Sequence, residues 1–301
     1  MATGIDVSYA QGKPAWAKVK ATGKIDFVYA KASGGDKTVD SSFAYNWAEL
    51  PKAGLPRGAY HFYIASIDPI IQAEHFFKTV GPLNDSDLPP MLDVEQTRPA
   101  SKTGDQYAKD VLACIEHLEK LFERRVVVYT GLSIIIAEMK GAAPETLAAL
   151  ATRDLWLAAY VNDPTKWVPP CWQSKGWVIW QKSGDVAADG KPGFRIDGIG
   201  SVVDLDVTQG AANDLVDWIE ASKLKKPESV PMVPAPEPPP SPVPQEEQPV
   251  PPTPEPVAPS PDPPKPVPSA PIVPGNPTGF LATFFAFIRA IFMFLTGRKG
   301  S

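Results

Sequence analysis

The stretch Leu88 to Thr97, LPPMLDVEQT, ends an apolar run with Asp93 and Glu95 two residues apart. Side chains two apart on a strand point the same way, with bases ~6.6–7 Å apart, so both reach into one cleft. Carboxyls that close resist joint ionisation, and one keeps its proton toward neutral pH. A protonated acid beside an ionised carboxylate is the pair that cleaves a glycosidic bond. The acid protonates the leaving oxygen, while the anion steadies positive charge at the sugar or a group that attacks it. A lone D-x-E equally suits a loop cap or an ion pair with Arg98. Other strand ends add weight: Asp6 in GIDVS, and Asp204 and Asp206 in VVDLDV. Acids on otherwise apolar strands are costly to bury without a use. For Asp206 the competing reading is a cap or turn contact before TQGAANDL.

Aromatic residues gather at the same kind of position: Tyr60, Phe62 and Tyr63 in YHFY, Tyr129 in VYT, Trp156 and Tyr160 in LWLAAY, and Trp180 before Gln181. Flat rings with a polar edge suit sugar faces, and ordinary core packing accounts for the rest. The other residue types offer less. His61, His75 and His117 form no metal-ligand spacing, so no metal or other cofactor is expected. Ser133 lies outside a nucleophile elbow. Cys114 falls on an apolar helical stripe and Cys171 among prolines, too far apart for a disulfide framework. A net charge of −5 gives no basic field for nucleic acid.

The elements that would carry these residues alternate. Short β-type runs fall at 4–9, 25–31, 56–63, 89–95, 125–130, 155–161, 177–183 and 201–207. Helical patterns fall near 14–22, 42–53, 68–80, 101–123, 132–150 and 209–222. Strands alternating with helices predict a parallel sheet with covered faces. Eight strands in about 220 residues predict a TIM-barrel-like (β/α) barrel with a reduced set of helices. Its competitor, an open doubly wound sheet, lacks a glycine fingerprint after the first strand. In a closed barrel the first and last strands are neighbours, so Asp6, Asp204 and Asp206 would join the mouth that holds Asp93 and Glu95.

Residues 1–222 form this domain. Residues 223–278 hold most of the 36 prolines and read as a disordered, semi-stiff linker. At ~3.1 Å per residue its ~50-residue proline run reaches about 150 Å at most. Residues 279–301, GFLATFFAFIRAIFMFLTGRKGS, form an apolar C-terminal helix expected to associate with a membrane, or else to dock a partner. The start, MATGIDVSYA, has neither a basic nor a long apolar region, so no conventional signal peptide is expected.

The motifs GIDVS, YAKASGG (29–35), GAYHFY (58–63), LDVE (92–95), VYTG (128–131), LWLAAY (155–160), WVIWQ (177–181) and VVDLDV (202–207) stand in the order seen in glycoside hydrolase family 25. Residues 1 to about 222 therefore resemble the Chalaropsis-type lysozymes, N-acetylmuramidases that include phage endolysins. The resemblance implies an eight-stranded barrel that cleaves the β-1,4 bond from N-acetylmuramic acid to N-acetylglucosamine in peptidoglycan. It implies Glu95 as general acid and Asp93 as the group assisting the substrate's acetamide or the oxocarbenium-like transition state. Whether Asp93 attacks or only orients stays open. Asp6 and Asp204 would complete the acidic floor. Tyr60, Phe62, Tyr129, Trp156, Tyr160 and Trp180 would line the sugar subsites, with Lys31 and Gln181 as polar contacts. Ser33 and Gly34 depart from the Thr and Glu often found there, and a proline spacer replaces wall-binding repeats.

The leading reading is thus a monomeric, phage-type muramidase. It would be made in the host cytoplasm and act on peptidoglycan from a membrane attachment in a Gram-negative periplasm. The alternatives are a chitinase-like β-1,4-N-acetylglucosaminidase, which lacks its longer D-x-x-D-x-D-x-E pattern here, and a non-catalytic, membrane-tethered peptidoglycan-binding protein.

Overall fold

A computed structural model describes residues 1–184 and 193–224. The strands are β1 (Thr3–Val7), β2 (Phe27–Gly34), β3 (Thr38–Val39), β4 (Arg57–Phe62), β5 (Met91–Asp93), β6 (Val127–Thr130), β7 (Asp154–Ala158), β8 (Ile179–Ser183) and β9 (Asp204–Thr208). Eight of them close a barrel in the order β1-β2-β4-β5-β6-β7-β8-β9, and β3 is a two-residue addition to β2. Each expected strand is found. One orientation differs: β9 runs antiparallel to both β8 and β1, where a parallel strand was expected. A parallel return needs a crossover, usually a helix. The described part of the β8–β9 connection holds none.

The helices are α1 (Trp16–Ala21), α2 (Phe43–Lys52), α3 (Pro69–Val80), α4 (Gly104–Phe122), α5 (Pro144–Ala151) and α6 (Leu215–Ser222). Local chemistry sets their ends. Asp68 accepts from the Ile70 and Ile71 amides at the start of α3, with Pro69 in the first turn. Thr103 caps α4 in the same way. The single helix expected over 132–150 is instead a π turn (Ile134–Glu138) followed by α5. Gly141 takes φ +82° between them, and Pro144 keeps Ala143 extended.

Strand alternation sorts the side chains into two layers. Ile5, Val28, Ala30, Leu92, Val128, Leu155 and Leu157 point outward and pack with the helices. Phe27, Tyr29, Met91, Val127, Trp156 and Ile179 fill the barrel. Tyr29 and Trp156 meet edge-on with centroids 4.8 Å apart. Gly4 and Gly58 make room for this filling, since a Cβ at either would fall 2.2–2.3 Å from the rings of Phe27 and Tyr29. These rings plug the lower barrel, and the polar side chains of the described strands gather at its other end.

Candidate active site

That end holds the C-termini of the parallel strands, where barrel enzymes place their chemistry. Asp93 is the last residue of β5 and faces inward. Glu95, half-buried, follows just past the strand and is gripped from both sides. The Val94 amide donates to Tyr129 O at 2.9 Å and Thr130 Oγ1 donates to Val94 O at 2.8 Å. On the far side, Gln96 accepts from the Ala65 amide through Oε1 and from the Tyr107 hydroxyl through its carbonyl. The backbone on either side of Glu95 is thereby fixed next to Asp93.

β1 and β9 supply the opposing wall. Their antiparallel register sets Asp6 directly across from Asp204, so both carboxyls share a face, and Asp206 lies two residues deeper. Gln181 on β8 ties the wall together. Its Nε2 donates to Asp6 Oδ2 at 2.8 Å and to Asp204 Oδ2 at 3.4 Å. Its Oε1 accepts from the Tyr129 and Tyr160 hydroxyls, each at 2.7 Å. Lys31, on β2, brings positive charge to the same mouth, its Nζ 4.5 Å from the Phe62 ring centroid and 5.9 Å from that of Tyr60.

Burial dominates the electrostatics. It raises Glu95 to about 7, against the pull of Lys31 and with help from the charge of Asp6. It raises Asp6 to about 6, opposed by hydrogen bonds to Gln181 and Asp206 and by Lys31. Asp93 is held well above the usual carboxylate range by burial and then by Glu95, and Asp206 by burial and then by Asp6. These carboxyls titrate as a coupled set that keeps protons near neutrality. Asp93 Oδ1 is buried with no hydrogen-bond partner among the described residues.

The mouth therefore gathers Asp6, Asp93, Glu95, Asp204, Lys31, Tyr60, Phe62, Tyr129, Tyr160 and Gln181. Two expected sugar contacts lie elsewhere. Trp180 faces the outer layer, and its indole N–H donates to Ala159 O at 2.7 Å. The reason is parity: Gln181 points inward, so its neighbour on the strand points out. Trp156 does point inward but is fully buried below the mouth, donating to Asp206 Oδ1 at 3.1 Å. Asp206, for which a cap or turn contact competes in the sequence, belongs to the buried acidic floor, on the same strand face as Asp204 two residues away. Among the described residues no trio of His, Cys, Asp or Glu is arranged to hold a metal ion.

The family model for glycosyl hydrolases family 25 matches residues 5–191, which run from β1 past β8. The chain belongs to glycosyl hydrolase family 25. This family 25 domain is thus a glycoside hydrolase of the lysozyme, or muramidase, kind. It is 30 % identical over 224 residues to "Lysozyme M1" of Streptomyces globisporus, covering 71 % of this chain and 69 % of that protein. "Uncharacterized protein YegX" of Escherichia coli K12 is 29 % identical over 230 residues, covering 73 % of this chain and 74 % of the relative. Among solved structures, the bacterial lysozyme of Streptomyces coelicolor superposes with a TM-score of 0.62 at 28 % identity, over 73 % of this chain and 97 % of that one. The barrel of family 25 is therefore shared along almost the full length of that lysozyme.

Proposed function

We propose that Glu95 is the general acid of a muramidase that cleaves the β-1,4 bond between N-acetylmuramic acid and N-acetylglucosamine. Peptidoglycan hydrolysis comes with membership of family 25; the residue roles are our reading. One observation carries it: a half-buried Glu95 raised to about 7 beside a buried, crowded Asp93. At that value Glu95 still holds a proton near neutral pH and can pass it to the leaving glycosidic oxygen. The unpartnered Oδ1 of Asp93 suits the N–H of the sugar's acetamide. With that N–H accepted, the acetamide carbonyl oxygen attacks the anomeric carbon as Glu95 protonates the departing glycosidic oxygen, leaving a cyclic oxazolinium ion. Water that gives its proton to Glu95 then attacks the same carbon and reopens the acetamide, and the two inversions return the original configuration. Asp6 and Asp204 then balance the positive charge that develops on the sugar. Tyr60, Phe62, Tyr129 and Tyr160 offer ring edges and hydroxyls to the glycan.

The experiment is turbidity loss and product mass on purified peptidoglycan and on chitin, for the wild type and Glu95→Gln. Muropeptides with reducing muramic acid ends from the wild type, and kcat lowered by about 10²–10⁴ in the variant, are expected. Cleavage of chitin alone, or wild-type rates for Glu95→Gln, would overturn the assignment.

Residues 223–278 beyond Leu224 and the apolar segment 279–301 lie outside the described residues. Among the described residues no helix is long and apolar enough to cross a membrane. We propose from sequence that 279–301 attaches the enzyme to a membrane and that the proline-rich segment spaces it from the wall, in the periplasm of a Gram-negative host. The composition GFLATFFAFIRAIFMFLTGRK, apolar with basic residues near its end, supports this.

A further inference from the structure

Gln181, expected to touch the sugar, has no hydrogen bond left to give it. A primary amide has two acceptor sites and two protons. Its Oε1 faces the Tyr129 and Tyr160 hydroxyls, which also touch each other, so both phenol protons are spent inside this cluster, and both amide protons go to Asp6 and Asp204. The side chain is 2 % exposed, so a ligand cannot reach it. Charge fixes which way the amide faces: turned round, its carbonyl oxygen would confront two carboxylates. A phenol has a single proton. Once Tyr129 and Tyr160 have donated theirs inside this cluster, their oxygens can only accept. Burial holds both hydroxyls well above their ordinary range, so they remain neutral.

We propose that Gln181 is a positioning residue that fixes the carboxyls of Asp6 and Asp204 and turns Tyr129 and Tyr160 into pure acceptors, so that this wall of the mouth selects ligand groups that donate hydrogen bonds. Sugar hydroxyls and amide N–H groups are accepted there; a carbonyl or a carboxylate is not. This deepens the muramidase reading and rests on it. The charged groups facing Asp6 are Lys31 from β2, Asp93 from β5 and Glu95 just past it, and Asp204 and Asp206 from β9. The bond from Gln181 favours the ionised form of Asp6, and the charge on Asp6 raises Glu95. Removing Gln181 then moves Asp6 up and Glu95 down.

The test compares the full chain with Gln181→Met on purified peptidoglycan, together with a ¹³C-carboxyl NMR titration of Asp6 without substrate. In the variant, kcat is expected to fall roughly 10- to 100-fold, with a smaller rise in KM from the freed tyrosine protons. The bell-shaped pH profile should narrow from both sides, and the Asp6 titration should move to higher pH. An unchanged profile and an unchanged Asp6 titration would overturn the proposal. So would a rise in KM alone, since that marks a direct sugar contact. Tyr160→Phe removes one donor to the amide while keeping a half-buried ring, and carries the same test should Gln181→Met fail to fold. Its profile should narrow in the same direction by less, and a wild-type profile would count against the proposal. A wild type inactive on peptidoglycan would defeat the muramidase reading instead, and the NMR titration still reads the bond from Gln181.

Discussion

At the scale of single residues, the same burial that readies Glu95 for proton transfer works against the fold at high pH. Glu95 rises from 4.5 to about 7 and Asp6 from 3.8 to about 6 on folding. A carboxyl raised in this way binds its proton more tightly in the folded state. Its contribution is complete below the unfolded value and is lost as pH climbs through the folded one. The wild type should therefore lose stability between about pH 4 and pH 7. Glu95→Gln should be more stable than the wild type at alkaline pH by about 1–3 kcal/mol, a Tm gain of a few degrees, and equal to it in acid. Thermal unfolding of both proteins across that range checks this. Activity follows the same proton: kcat/KM should fall as pH rises past about 7, the value held by Glu95. Much of this was legible in the sequence, because D-x-E spacing on a strand end already places two carboxyls on one face. Trp180 is also legible, since alternation alone sets it on the face opposite Gln181, away from the sugar. The role of Gln181 was not legible, since an amide carries no charge and its four partners come from different strands and the loop after β7.

At the scale of elements, the barrel depends on where side chains are missing. Gly58 lies under the Tyr29 ring, whose nearest carbon would be 2.3 Å from an added Cβ. Gly58→Ala should cost about 1–3 kcal/mol by overpacking, read as a lower Tm, with Tyr29 and its edge contact to Trp156 displaced. Gly104 is as tight from another direction, a Cβ there falling 2.1 Å from the Lys140 carbonyl. Gly104→Ala should lift the start of α4 from the turn before α5 and lower the Tm as well. The strands themselves were readable from their apolar runs, and α1 to α4 from period and caps. The break in 132–150 is legible in Gly141 and Pro144, which interrupt the helical pattern there. The direction of β9 was not readable, because parallel and antiparallel strands with one face in the barrel share the same alternation.

At the scale of the whole molecule, closure of the barrel turns scattered acids into one site: Asp6 and Asp204 are 198 positions apart in a chain of 301, yet stand opposite each other. A chain ending at Leu224 should cleave purified peptidoglycan at the full-length rate but lose binding to lipid vesicles, measured by flotation; equal flotation of both would remove the membrane role from 279–301. The reversed last strand has a practical consequence. β9 begins at the mouth with Asp204 and ends beside Ala2, and α6 then leads to Lys223, which bridges to Arg124 just ahead of β6. Leu224, the last described residue, thus lies at the end of the barrel away from the catalytic opening. A bead, dye or second protein fixed immediately after Leu224 would leave the cleft turned toward the medium, making this position a natural handle for oriented immobilisation.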